Sequence, residues 1–411
     1  MIIAGSRFVS HWLNLGPQEI SADAYLDGSP VDRAVFLVLI LAGIVVLVRR
    51  RLNWSELFKI NIWVSLFFVF GAISCFWSDF PFVAFKRWVK AVGNVIMVLI
   101  ILTEERPYVS LGAILRGFAF LLLPLSVLFI KFYPDLGRAY HMGQPMFAGV
   151  AGQKNGLGHI CLLSGIYFSW NLLFNHLGEV KPERPLHFSI YLIILPMIIW
   201  LFSIANTATA LMCMIVAVGL FIVARLPVVV REPIKIMVIC LGCIILYGIL
   251  DFLFDVKNTV IAMLGRRPDL TTRVPMWEEL YHMAKNPLVG FGYESFWMGP
   301  RQQVVHERWG LSVNAHNGYL QMYLDLGYIG LFFVLAWILS GLRKVSLDLR
   351  VDYPVAVLRL CFIVVVSLNN YTDATFYGVN NMWLLLLLAI MDIPNCHKSP
   401  NKLANMKEST W

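Results

Sequence analysis

The chain has 411 residues, 59% of them hydrophobic and only 14% charged, whereas about a quarter of a soluble domain is charged. That balance excludes a water-soluble globule and requires burial in a membrane. The formal charge of +8 does not point to nucleic acid, because a nucleic-acid binder gathers Lys and Arg on one water-facing surface and here they sit in short breaks between apolar runs.

Near the start, Arg7 and His11 interrupt the apolar stretch, so no signal peptide is expected. Apolar runs suited to a hydrocarbon layer of about 30 Å then follow at 34–48, 60–77, 88–102, 111–132, 158–174, 188–204, 209–224, 236–254, 317–340, 354–368 and 379–391. The expected fold is an all-α polytopic membrane protein with about eleven or twelve transmembrane helices. Arg49, Arg50, Arg51 and Lys59, then Arg225, Arg231 and Lys235, then Arg343, Lys344 and Arg350 mark three connections as cytoplasmic, since cytoplasmic loops hold the excess of positive charge. The chain divides into a bundle of about eight helices (1–254), an extracytoplasmic catalytic loop (255–315), C-terminal transmembrane helices (316–392) and a cytoplasmic tail (393–411) carrying Lys398, Lys402 and Lys407.

A loop of this length is unusual. Within it Val274, Trp277, Tyr281 and Ala284 recur at helical spacing, with Pro275 in the first turn and Asn286-Pro287 as the stop, which predicts an amphipathic helix lying on the bundle or the membrane surface. Trp277 and Tyr281 read as interfacial anchors.

Four polar clusters fall on the expected outer side. Trp77-Ser78-Asp79 precedes Lys86, Arg87 and Lys90, a basic group where the charge rule expects few; either it meets an anionic ligand or its lysines snorkel to lipid phosphates. Gly152-Gln153-Lys154-Asn155-Gly156-Leu157-Gly158 is a glycine-rich turn in which Lys154 and Asn155 can meet a phosphate, or a plain turn before a helix; it lacks the spacing of a P-loop. In Gly265-Arg266-Arg267-Pro268-Asp269-Leu270-Thr271-Thr272-Arg273, Arg273 falls at a helix start, suited to a pyrophosphate; Arg266 is a further substrate contact or part of a solvated loop. Asn314-Ala315-His316-Asn317 stands where the loop re-enters the membrane, placing His316 as a general base and Asn317 beside it.

Other chemistries are set aside. Cys240 and Cys243 have CxxC spacing but lie in an apolar helix without a matching pair, so packing is expected. His282 and His306 lack a second ligand at metal spacing, and Gly290-Phe291-Gly292 lacks the third glycine of a dinucleotide fingerprint. No metal site, cofactor or nucleic-acid partner is expected.

Taken together, the sequence resembles the O-antigen ligase and exopolysaccharide polymerase superfamily of bacterial membrane proteins. The likeness rests on Leu270-Thr271-Thr272-Arg273, Trp277, Pro287-Leu288-Val289-Gly290-Phe291-Gly292, Ala315-His316-Asn317-Gly318-Tyr319-Leu320 and Leu326-Gly327-Tyr328-Ile329-Gly330. Thr272 stands where that family usually has Gly, and Gln153 where its polymerase branch often has His. The resemblance implies a metal-independent glycosyltransferase in the bacterial inner membrane. Its donor is an undecaprenyl diphosphate-linked oligosaccharide and its acceptor a glycan or lipid; membrane lipids and other polysaccharide assembly proteins are its surroundings. It also implies His316 as base and Arg273 as diphosphate contact, with Lys154 and Arg87 as secondary phosphate contacts. The expected activity is polymerisation of such repeats, with two alternatives: an O-antigen ligase, or a lipid-linked sugar flippase, for which Arg116 and Arg359 are the mid-membrane candidates.

Overall fold

The computed structural model describes residues 8–13, 29–50, 52–141, 144–176, 186–255, 273–284, 286–310 and 314–394. It is an all-α polytopic membrane protein. A helix stands at each place where an apolar run was expected: α1 (Pro30–Arg49), α2 (Ile62–Ser74), α3 (Pro81–Leu102), α4 (Pro107–Phe132), α5 (Lys154–Trp170), α6 (Phe188–Ala205), α7 (Ala208–Ala224) and α8 (Lys235–Phe254). After the loop helices α9 (Arg273–His282) and α10 (Pro300–Trp309) come α11 (Gly318–Asp348), α12 (Tyr353–Asn369) and α13 (Asn381–Ile390).

Length and apolar composition sort these helices. Six described helices are long and apolar enough to cross a membrane, seven if the pair bent by 96° at Asn61 is one span. α7, α12 and α13 are apolar and have 17, 17 and 10 residues, the first two at the lower end of the roughly 17–25 that a crossing takes and the last below it. α3 has 22 residues but carries Lys86, Arg87 and Lys90. A short antiparallel hairpin, β1 (Arg138–His141) with β2 (Gln144–Phe147), was not anticipated.

Helix starts follow ordinary end chemistry. Pro occupies the first turn of α1, α3, α4, α10 and α12, where its missing N–H costs nothing. Asn317 and Asn380 cap α11 and α13, and Ser29 caps α1. α5 is the central helix: Leu157 to Trp170 are buried apart from His159, against α4, α6 and α7. A second aromatic centre joins α2, α11 and α13, where Phe67 meets Trp337 at 4.5 Å and Trp337 meets Trp383 at 5.1 Å between ring centroids.

The ends of α11, α12 and α13 are tied by charge. Arg359, 3% exposed, pairs with Asp348 and, at 2.8 Å, with Asp392. Lys344 donates to the Ile390 carbonyl at 2.8 Å and to Asn61 Oδ1 at 3.0 Å. By contrast α8 packs little, with Ile236 alone buried; Cys243 lies on its outward side and not in a packed interior.

The loop carries a core of its own: Met276, Leu280, Phe291, Phe296, Trp297, Val305 and Ala315 gather with Tyr323 and Leu324 of α11. Its amphipathic helix is present, yet its inward residues are Met276 and Leu280, 4% and 1% exposed, while Val274 and Tyr281 are 41% and 46% exposed. The expected face is therefore split: Val274 and Tyr281 turn outward, while Trp277 and Ala284 are half-buried against the loop's own core. Trp277 is not a lipid anchor: its Nε1 donates to the Ala315 carbonyl at 2.7 Å.

This core is joined to the bundle at a break in α11. Gly327, at φ 64° and ψ −159°, leaves the helical path. The carbonyls of Leu324 and Asp325 accept from Phe291 N (3.0 Å) and Gly292 N (2.8 Å), and the amides of Tyr328 and Ile329 donate to Pro287 O (2.8 Å) and Leu288 O (3.2 Å). A Cβ at Gly327 would lie 2.3 Å from Leu288 backbone atoms, and one at Gly290 would lie 2.5 Å from those of Asp325. Only glycine fits these positions. Gly327→Ala should thus cost roughly 1–3 kcal/mol from its backbone conformation alone, with the clash added. A heat challenge in detergent followed by size-exclusion should show a lowered melting temperature, whereas Gly219→Ala, where a Cβ meets nothing within 4 Å, should leave it unchanged.

Candidate functional site

The turn before α11 fixes the central residue. His316 holds φ 48°, in the left-handed region, a conformation that persists in a non-glycine residue when its surroundings over-determine it. Asn314 Oδ1 accepts from His316 N at 2.9 Å. Ala315 N donates to Gln321 Oε1 at 3.0 Å while Ala315 O takes the Trp277 bond. On the other side Gly318 N donates to Asn370 O at 2.7 Å, and a Cβ at Gly318 would fall 2.0 Å from Asn370 Oδ1. Asn317 spends its side-chain oxygen on the helix cap, accepting from Tyr319 N at 3.0 Å and Leu320 N at 3.1 Å.

Two charged groups act on the imidazole. Burial pushes His316 below its ordinary value, the Arg273 charge pushes the same way, and Asp373 pulls it back up. The ring is thus neutral near pH 7, and its Nδ1 is buried without a hydrogen-bond partner in the described structure. Arg273, the first residue of α9, donates from Nη1 to the Thr372 carbonyl at 2.7 Å. Asp373 stands next in sequence and pairs with His159 at 3.3 Å. Burial raises this carboxyl, but the His159 hydrogen bond and charge outweigh it and hold Asp373 below the usual carboxylate value. The segment between α12 and α13 therefore carries both partners of the turn.

The helix that follows the glycine-rich turn reaches the same segment through His159. Lys154 and Asn155, both half-buried, open α5, and His159 on that helix meets Asp373; five residues along a helix is about 7.5 Å. Thr209 at the start of α7 hydrogen-bonds Thr372 at 2.5 Å between hydroxyl oxygens. Arg87 is placed elsewhere. Its Nη1 donates to Glu294 O at 2.6 Å, and it is Glu294 and Asp325 that feel its charge. Arg266 lies outside the described residues.

Behind the turn stands a buried polar scaffold. Gln321 Nε2 donates to Asp325 Oδ2 at 2.9 Å, Trp297 Nε1 donates to Gln321 Oε1 at 2.6 Å, and Asp325 Oδ1 accepts from Ser295 N at 3.0 Å and Phe296 N at 2.9 Å. Tyr377 also donates to Asp325. Next to it, Glu294 holds φ 47°; burial pushes its carboxyl up to about 7, with Arg87 opposing and Asp325 assisting. Among the described residues no three His, Cys, Asp or Glu side chains gather as a metal-binding group.

Sequence inspection missed Asp373, His159, Glu294 and Asp325. The polar run Asn369-Asn370-Tyr371-Thr372-Asp373 between two apolar spans was the available signal for the first. Gln321→Leu leaves Ala315 N and Trp297 Nε1 without an acceptor and should cost about 1–3 kcal/mol. Hydrogen exchange should accelerate across 291–297 and 314–317 and stay unchanged in α5; equal protection in both would show that Gln321 does not hold the turn.

Comparison with known proteins now bears on this geometry. Residues 190–335 match the O-antigen ligase family model. The chain is 24% identical over 281 residues to the exopolysaccharide production protein ExoQ of Rhizobium meliloti, across 66% of this chain and 62% of that protein. It is 22% identical over 240 residues to a Rickettsia felis protein named "Putative polysaccharide ligase", across 55% of this chain and 56% of that one. The chain thus spans less than two thirds of either relative's length. The matched segment holds Arg273, Glu294, His316 and Asp325, while Arg87, Lys154, His159 and Asp373 lie outside it.

Proposed function

We propose that this protein polymerises undecaprenyl diphosphate-linked oligosaccharide repeats at the outer face of a bacterial inner membrane, by a metal-independent glycosyl transfer. The observation that carries this is the neutral His316, locked in a left-handed turn within the electrostatic reach of Arg273 and Asp373. The O-antigen ligase match and the likeness to ExoQ support a lipid-linked glycan as substrate.

In the reaction, the acceptor hydroxyl gives its proton to His316 as its oxygen attacks the anomeric carbon of the donor sugar. The bond from that carbon to the diphosphate oxygen breaks, and its electron pair leaves with the diphosphate. Arg273 at the start of α9 meets the charge that develops there, aided by the first-turn amides of the helix. Lys154 and Asn155, at the start of the helix that carries His159, serve as further phosphate contacts. The imidazolium left on His316 is favoured by the Asp373 carboxylate, which His159 holds in its ionised form. Asn317 positions the base by capping α11. Arg87, held at Glu294, serves the saccharide or a second phosphate. Transport is the weaker reading, because Arg359 is neutralised by Asp348 and Asp392 and Arg116 donates to the Tyr167 hydroxyl at 2.8 Å. Ligation to a lipid or glycan acceptor uses the same groups and differs only in the acceptor.

The test is reconstitution with lipid-linked repeats and chelator. A product ladder lost in His316→Ala and Arg273→Ala, both inserted at normal abundance, is expected. Single transfer that needs an added acceptor would mean a ligase, and wild-type ladders in either variant would remove the assigned roles.

The pH profile follows from the same charges. Because burial and Arg273 hold His316 below its ordinary value of 6.5, the base form persists through pH 6.5 and synthesis should fall only in more acid solution. Asp373→Asn removes the group that raises His316, so its acid limb should move to lower pH as the rate falls. An unmoved limb would separate Asp373 from the base.

A further inference from the structure

Beside α9, Trp277 and Tyr281 of that helix stand with Tyr371 and Tyr328 as a group of aromatic rings that the proposed chemistry leaves unused. It begins at the reaction centre, where Tyr371, 46% exposed and adjacent to Thr372, meets the Trp277 ring edge-on with centroids 6.2 Å apart. Trp277 and Tyr281 are four residues apart and so share one helix face. Tyr281 lies flat against the buried Tyr323, at 5.1 Å and 17°, and its hydroxyl meets that of Tyr328 at 3.0 Å. Tyr328, 49% exposed, also packs on Tyr323 at 5.1 Å.

Tyr281, Tyr328 and Tyr371 are about half-exposed, and Tyr281 and Tyr328 are both backed by Tyr323. A ring fixed on one side by Tyr323 loses little freedom when a second flat group covers it, so the row is pre-organised for a ligand. A sugar ring suits such a surface: it presents a C–H face to the aromatic plane, and its hydroxyls lie at the rim where Tyr281 and Tyr328 carry theirs. Position favours a saccharide over a lipid headgroup. The row starts at residues that flank Thr372 and Ala315, the backbone partners of Arg273 and Trp277, and it follows a 10-residue helix whose buried side faces the loop's own core.

We propose that Tyr371, Trp277, Tyr281 and Tyr328 form a binding track for the saccharide part of the substrate, on which sugar rings stack as the chain extends away from His316. This rests on the glycan-transfer reading above and adds the surface that holds the chain. Trp277 is also a positioning residue through Ala315, so Tyr281 and Tyr328 are the informative members.

The test titrates lipid-free oligosaccharides cut from the host's own polymer against detergent-solubilised His316→Ala protein. Saturable binding is expected, weakened about tenfold by Tyr281→Ala or Tyr328→Ala in that background and retained by Tyr281→Trp, which keeps an aromatic face. Absence of saturable binding, or an affinity in both alanine variants equal to that of the His316→Ala parent at unchanged melting temperature, overturns the track. Binding is read without turnover, so a failed polymer ladder with intact oligosaccharide binding would count against the transfer reading alone.

Discussion

At Gly327 a membrane helix abandons its own hydrogen-bond ladder, and the groups it releases must find partners where water is scarce. They find them in the segment Pro287–Gly292, which supplies two carbonyls and two amides to the gap. Two glycines make the contact close enough, since Gly290 abuts the backbone of Asp325 and Leu326 and Gly327 abuts that of Leu288 and Val289. Everything that bears on chemistry hangs from this clasp. It holds Ser295 and Phe296 over Asp325, lets Gln321 reach Ala315, and so fixes the turn in which His316 sits.

The turn illustrates why strain at His316 is stable. Its neighbours on both sides are committed: Ala315 at both backbone groups, Asn317 as a cap, Gly318 against Asn370. Relaxing one residue would break several buried hydrogen bonds at once, each expensive to leave unmade. The left-handed conformation is therefore cheaper than its removal, and the imidazole is aimed by the fold.

Much of this was legible in the residues, and what was missed has a physical pattern. The apolar runs gave every long helix because transfer to hydrocarbon depends on local composition. Arg273 and His316 stood out because each lies at a helix start, a local feature. The glycines of Pro287–Gly292 and Leu326–Gly330 were visible as motifs, but their purpose, backbone facing backbone, joins segments some 37 residues apart in the chain and has no local signature. Asp373 belongs to the same class: it meets His159, more than 200 residues earlier. The buried face of α9 was misread for another reason. Met276 with Leu280, and Trp277 with Tyr281, offer two equally periodic stripes, and only the neighbouring Phe296, Trp297 and Val305 decide which one turns inward.

Charge at His316 also links binding to chemistry under the proposed mechanism. Arg273 acts against protonation of the imidazole and Asp373 acts for it. A diphosphate seated on Arg273 brings negative charge that offsets the guanidinium field, and it leaves the Asp373 contribution in place. His316 then becomes a stronger base at the moment the leaving group is bound. In the absence of donor the same residue is a weaker base, so an acceptor hydroxyl, or water, that arrives alone meets a less reactive group. Binding of one substrate thereby prepares the group that activates the other, by electrostatics alone and without a moving part.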